Sequence, residues 1–386
     1  MATLVGAAQS SGAAKTAPSS ISGRMAFIEV ARVVCIFIVV LAHTVDGILA
    51  GAKPGPWTLV FSSFMRFAVP AFFMISGLLM GLRHRDPTYK LDVGGFWRTR
   101  VRTIVLPFFV WDIIYMFIFV NLWHSSYFSL STLWFVLTGY NHLYFIAVLI
   151  QFLLVYSFMA RSLTPRTARL ATMVSAACTL AFYAVSEALF WTQKPDHFFF
   201  EWHWGKIGFA WALFFFFGLW LGVEGGLLER IRRLRYPLLA VSVVSLVAYW
   251  FEFRYEYLDL GAASRQYFLL PGLVFQFAGA VTFLAFFSTW ERRFSAGSFW
   301  RRVLPWGSLM FGVYMAHLAV LQVTIPQGIK LLGSLPLILQ TVIIGLVTYL
   351  ATVAGVWICS LPWLLPLNFL LFGGRKGSRK SVAGKA

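Results

Sequence analysis

The chain has 386 residues, of which 59% are apolar and 12% charged, with a formal charge of +18 and a mean hydropathy of +0.76. A soluble domain carries roughly 25% charged residues, so a water-soluble fold is excluded. The basic residues lie between apolar segments rather than on one solvated face, which excludes a nucleic-acid reader, and Cys35, Cys178 and Cys359 have no CxxC or Cys/His spacing, which leaves neither a disulfide framework nor a metal site indicated.

Residues 1–23 are rich in Ala, Ser, Gly and Thr without periodicity and are expected to form a disordered cytoplasmic tail. The apolar stretch 26–42, followed by Ala-Gly-Ala at 50–52, has some look of a signal peptide. It runs past a normal h-region and contains Glu29, Arg32 and His43, so retention as a first membrane helix is expected. Windows of about 20 residues, enough for a ~30 Å hydrocarbon core, then fall near 26–48, 59–82, 103–123, 141–160, 170–191, 206–223, 236–253, 269–290, 306–325 and 335–363.

Lys and Arg alternate sharply between the connections of such a bundle. One set of connections and tails holds 24 of them, including Arg83, Arg85, Arg98, Arg100 and Arg102; the other holds six, and Arg32 and Arg66 fall inside helices. Basic residues are retained on the cytoplasmic side. The expected fold is therefore an all-α integral membrane bundle of about ten transmembrane helices with both termini cytoplasmic: a membrane domain over 24–366 and a basic cytoplasmic tail over 367–386. No internal repeat is evident.

Charges inside a span are costly and commonly mark a site or pathway. In the first helix Glu29 and Arg32 are three apart and can pair on one face. Arg32 and His43 are eleven apart, three turns plus about 20°, so both point the same way about 16 Å apart along the axis. Asp46, one turn beyond His43, can orient its ring. A salt-bridged helix start at the interface explains Glu29 and Arg32 equally well, and packing or interhelical hydrogen bonding is an ordinary role for a lone histidine in an apolar helix.

The pattern Arg24, Ile28-Glu29, Arg32 and His43, continued by Val69-Pro70-Ala71-Phe72-Phe73-Met74-Ile75-Ser76-Gly77, resembles the opening of the acyltransferase-3 family of integral membrane O-acyltransferases. Phe96-Trp97-Arg98-Thr99-Arg100-Val101-Arg102, His142-Leu143-Tyr144-Phe145-Ile146, and Ser308 with Gly312-Val313-Tyr314-Met315-Ala316-His317 resemble later motifs of that family in the same order. Departures are Glu29 for a common Asp, Tyr144 for a common Trp, and Thr103 where a second Arg of an R-x-x-R pair is expected, which leaves open which of Arg98, Arg100 and Arg102 meets the donor.

The resemblance, to the single-domain type, implies transfer of an acyl group, acetyl by expectation, from cytoplasmic acyl-coenzyme A to a hydroxyl of a carbohydrate or other extracytoplasmic acceptor, in a bacterial-type inner membrane. Acyl-coenzyme A is the donor and no cofactor is permanently bound. His43 is the candidate general base, with Arg32 and Glu29 beside it. Ser76 is a candidate oxyanion donor, although a Ser-Gly pair in a membrane helix is more often a close-packing device. Arg98, Arg100 and Arg102 suit the donor's phosphates, unless they serve topology alone. Arg66 fits either the donor or a structural ion pair, with Glu29 as one possible partner. His142, Tyr314 and His317 are second-rank candidates for substrate binding. The competing expectation is a proton-coupled secondary transporter or flippase, disfavoured by the missing repeat and the few intramembrane carboxylates.

Overall fold

The computed structural model describes residues 25–49, 55–120, 134, 136–192, 203–259 and 268–374. The tail read at 1–23 and Lys53, Lys194, Trp202, Arg265 and the basic residues from Arg375 onward lie outside them. Every regular element among the described residues is helical. Eight helical stretches there are long and apolar enough to cross a membrane: Ala26–Leu49, Pro56–Arg83, Val93–Ile118, Asn141–Ser162, Pro165–Trp191, Arg235–Arg254, Leu270–Thr289 and Leu337–Cys359. The expectation of about ten also counted 206–223 and 306–325. The first is a twelve-residue helix, Ala212–Val223, bent by 107° from Leu227–Arg233. The second is Met310–Leu332, long but diluted by His317, Gln322, Thr324, Pro326, Gln327 and Lys330.

Helix α1 (Ala26–Leu49) begins with its free amides answered from far away. The Glu291 carboxylate accepts from Ala26 N at 2.9 Å and Phe27 N at 2.7 Å, placing a negative charge where the helix dipole favours one. The next predicted span is two helices, α2 (Pro56–Met65) and α3 (Ala68–Arg83), broken at Arg66 and Phe67. Pro70 explains the break, because its ring has no N–H and clashes with the carbonyl four residues back, that of Arg66.

After α3 the chain runs through α4 (Val93–Arg100), a π-helical turn over Val101–Val105, and α5 (Leu106–Tyr115). It then passes through α6 (Tyr144–Met159) and α7 (Pro165–Trp191), the latter opened by a capping box between Thr164 and Thr167 with Pro165 in the first turn. Then come α8 (Ala212–Val223), α9 (Leu227–Arg233), α10 (Arg235–Arg254), α11 (Leu270–Thr289), α12 (Glu291–Ala296), α13 (Ser298–Val303), α14 (Met310–Leu332), α15 (Leu337–Cys359) and α16 (Leu365–Phe372). Helix α16 carries the first residues of the stretch 367–386, read above as tail, into the bundle: Trp111 Nε1 donates to Leu371 O at 2.9 Å, and Gly373, with φ +64°, closes the helix against Thr103.

Helices α3 and α8 approach backbone to backbone. Gly77 and Gly81 on one face Gly218 and Gly222 on the other, and a Cβ on any of the four would collide with a carbonyl opposite: Phe215 O, Leu219 O, Met74 O or Leu78 O. Each pair has the G-x-x-x-G spacing that lets membrane helices touch, where dispersion replaces the missing hydrophobic drive. Beside this seam, the Phe73 ring packs on Phe145, Phe152 and Trp211 at centroid distances of 4.5, 5.4 and 5.8 Å. Core packing of α3, α6 and α8 therefore fixes where α6 starts, and with it the turn that carries His142.

Candidate active site

Three histidines far apart in sequence meet inside the bundle. His43 comes from α1, His142 from the 3-10 turn Asn141–Leu143 that leads into α6, and His317 from α14. Ring centroids lie 5.9 Å apart for His43 and His142, 5.3 Å for His43 and His317, and 4.9 Å for His142 and His317. His142 and His317 are fully buried, at 2% and 0% exposure, while His43 is only partly so.

The hydrogen bonds decide which nitrogens carry protons. His317 Nδ1 lies 2.7 Å from Tyr314 O, and His142 Nε2 lies 3.2 Å from the same oxygen. A carbonyl oxygen can only accept, so both nitrogens donate. In the neutral rings that leaves His317 Nε2 and His142 Nδ1 as the basic nitrogens, and neither has a hydrogen-bond partner among the described residues although both are buried. Tyr314 completes the lock, its hydroxyl donating back to the His142 carbonyl. The helix and the turn are thus stapled in both directions.

Around this cluster the Tyr115 ring meets His142 edge-on at 5.1 Å. Its hydroxyl donates to Met315 O at 2.6 Å and accepts from Ala319 N at 3.3 Å, two and two residues either side of His317. His142, Tyr314 and His317, second-rank from sequence, are therefore neighbours of the leading candidate. The three imidazoles do not bring their nitrogens together at ligand spacing. Among the described residues the group that does is Glu187, Glu252 and Glu256, elsewhere in the bundle.

Arg66 and Asp46 resolve differently from the expectation. Arg66 is buried and donates to Asp46 through Nη2 to Oδ1 at 2.5 Å and Nη1 to Oδ2 at 3.1 Å, with a further bond from Nη2 to Ser62 Oγ at 3.0 Å. Its carboxylate is thus Asp46 rather than Glu29, and Asp46 is engaged by Arg66 rather than by the His43 ring. Arg66 and Arg83 lie at opposite ends of α3, about 25 Å apart at 1.5 Å per residue. A phosphate held near Arg83 is out of reach of Arg66.

Breaking that pair leaves a buried cation, which costs about 3 kcal/mol. Asp46→Asn should accordingly lower the thermal unfolding midpoint far more than Glu29→Gln. The Glu29–Arg32 pair is looser, at 3.5 Å with both side chains partly exposed, and is worth at most about 1 kcal/mol. Equal shifts for the two variants in a thermal melt would refute the distinction.

Glu29 packs against Gly307, where any Cβ would strike its Oε2. Gly307 precedes Ser308, whose hydroxyl donates to Pro305 O at 2.7 Å. Ser308 lines a groove of about 600 Å³ with Trp306, Leu309, Leu350 and Trp357, away from the histidines. Ser76 is partly exposed on α3 and its hydroxyl makes no hydrogen bond with a described residue; its neighbour Gly77 belongs to the glycine seam.

The arginines at the far end of α3 divide by orientation. Arg98 and Arg102 are exposed. Arg100 turns inward, its guanidinium over the Phe96 ring at 5.0 Å, with Arg83, Tyr89 and Tyr156 as electrostatic neighbours. His84 belongs to the same cluster, its Nε2 2.8 Å from Tyr156 Oη and its ring against Tyr89. Burial, and then the Arg83 charge, hold the His84 imidazole below its ordinary range, which favours its uncharged form. Arg85 is committed elsewhere, donating through Nε to Gly222 O at 2.7 Å at the end of α8.

Compared with known proteins, residues 25–361 match a family model described as an acyltransferase domain. No curated protein and no solved structure gives a significant match.

Proposed function

Because the chain belongs to the acyltransferase-3 family and is thus a membrane acyltransferase at family level, we propose that it carries an acyl group, acetyl in our reading, from acyl-coenzyme A to a hydroxyl of a carbohydrate or other extracytoplasmic acceptor. The observation that carries this reading is the meeting of His43, His142 and His317, the last two held in defined tautomers by one carbonyl oxygen. A transporter needs titratable groups along a path. It has no need of three imidazoles gathered at one point.

The basic end of the bundle, by the positive-inside argument, faces the cytoplasm and receives the donor. Arg100, with Arg83 beside it, binds phosphate there through charge-assisted hydrogen bonds. The pantetheine arm reaches inward, past the level of Arg32, to present the thioester at the histidines. His43, on the partly open side of the cluster, takes the proton of the acceptor hydroxyl. The hydroxyl oxygen then forms a bond to the thioester carbon, the C–S bond breaks, and the proton passes to the departing thiolate. His317 and His142 fix the His43 environment and bound the reacting centre. Ser76 remains our candidate donor to the oxyanion, and Arg32 with Glu29 the polar pair below it.

The test is thiol release from acetyl-coenzyme A by the purified protein in nanodiscs, with an envelope carbohydrate as acceptor. Turnover by the wild type, lost in His43→Ala with donor binding kept, supports the reading. A wild type that neither binds nor consumes any acyl-coenzyme A sinks it and moves the transporter to first place. In the same assay Arg100→Ala should raise the donor KM about 10-fold or more, since a charge-assisted bond is worth about 1.5–3 kcal/mol, and should do so more than Arg98→Ala or Arg102→Ala. Equal effects of the three would assign all of them to the field at the mouth rather than to contact.

A further inference from the structure

Helix α5 touches both of the elements that bring His142 and His317 together. Asp112 and Tyr115 are three apart on it and share a face. Tyr115 grips the backbone of α14 on either side of His317, as described above. Asp112 is fully buried and its Oδ1 accepts from Tyr140 N at 2.6 Å, two residues before His142.

The turn that Asp112 holds is a conformationally demanding one. Gly139 has φ +84° and Asn141 φ +48°, and a Cβ at Gly139 would press on the backbone of Leu143 and Tyr144. Lys206, itself buried, donates from Nζ to Gly139 O at 3.2 Å and is the charge neighbour of Asp112. Gln151 anchors the Lys206 segment in turn, accepting from Gly208 N at 2.9 Å. The ammonium and the carboxylate grip one peptide unit, Lys206 at the Gly139 carbonyl and Asp112 at the adjoining Tyr140 amide, and so fix the plane from which the bend, closed by Leu143 N donating to Tyr140 O at 3.1 Å, departs.

We propose that Asp112 is a positioning residue for acyl transfer: by holding the Gly139–Leu143 turn on the helix whose Tyr115 holds α14, it sets the spacing of His142 from His317. The proposal rests on the acyltransferase reading. Asp112 touches no reacting atom in it; its effect passes through His142.

The experiment compares Asp112→Ala, Asp112→Asn and His142→Ala, and the double variant Asp112→Ala/His142→Ala, in nanodiscs, by acetyl-coenzyme A thiol release and by amide hydrogen exchange over 138–146. Because a misplacement of about 1 Å can cost about 100-fold, Asp112→Ala should lower kcat about 10- to 100-fold with the donor KM nearly unchanged. It should also raise exchange at the Tyr140 amide about 10-fold or more as the amide loses its acceptor. Asp112→Asn, which keeps a carbonyl acceptor for Tyr140 N, should restore both. In the His142→Ala background Asp112→Ala should add little to the loss.

A kcat within twofold of wild type in Asp112→Ala, or an undiminished extra loss in the His142→Ala background, overturns the proposal. If the wild type shows no turnover, the acyltransferase reading has failed by itself. Exchange alone then judges Asp112: unchanged protection of Tyr140 overturns its hold on the turn, and deprotection rescued by Asn upholds it.

Discussion

Replacing His317 by alanine should lower acyl-coenzyme A turnover about 10²- to 10⁴-fold, the range expected for loss of acid–base function, and as much as replacing His43. His317 is fully enclosed, its Nδ1–H is spent on Tyr314 O, and its Nε2, beside the His43 ring, has no hydrogen-bond partner among the described residues. With His317 assigned above to fixing the environment of His43, whose ring is 5.3 Å away, His43→Ala/His317→Ala should lose little beyond either single change. The measurement is thiol release at matched folding, judged by monodispersity and thermal midpoint. Turnover within threefold of wild type in His317→Ala would reduce it to a packing residue and leave His43 to act alone.

The second large effect is structural. Gly77→Ala places a methyl group against Phe215 O, backbone against backbone, with no flexible side chain to give way. Overpacking of this kind costs about 1–3 kcal/mol and occasionally more, and here α3 and α8 can yield only by separating along the whole seam. Gly355→Ala is the matched control, since a Cβ there meets nothing within 4 Å and alanine favours a helix over glycine by about 1 kcal/mol. Thermal melts should show Gly77→Ala well below wild type and Gly355→Ala at or above it. Similar midpoints for the two would mean the seam tolerates widening.

The charged stripe of the first helix could be read from spacing alone, and the Glu29–Arg32 pair is where three residues of separation put it. The order of motifs from residue 24 to 317 carried the family, which the match over 25–361 now shows. Convergence of His142 and His317 on His43 is tertiary and leaves no mark in local sequence.

Other features did leave marks. Pro70 announces the break at Arg66, and the paired G-x-x-x-G spacings announce the seam. The inward turn of Arg100 follows from a spacing of two: on a helix, positions 98 and 102 lie about 40° apart, and position 100 lies across the axis from both. The partner of Arg66 could not be had this way, because Asp46 and Glu29 are both on α1 and only the packing of α2 on that helix decides between them.

The Glu291 carboxylate that receives the first amides of α1 is synthesised 265 residues after Ala26. At about 5–20 residues per second the helix waits on the order of 10–50 s, already inserted, before its own beginning can be completed. The His43 side waits still longer, because the 317th residue must follow. Membrane insertion and assembly of the histidine cluster are therefore separate events in the life of each molecule, and a chain stalled before α12 would sit in the bilayer with the first amides of α1 unanswered and without its third histidine.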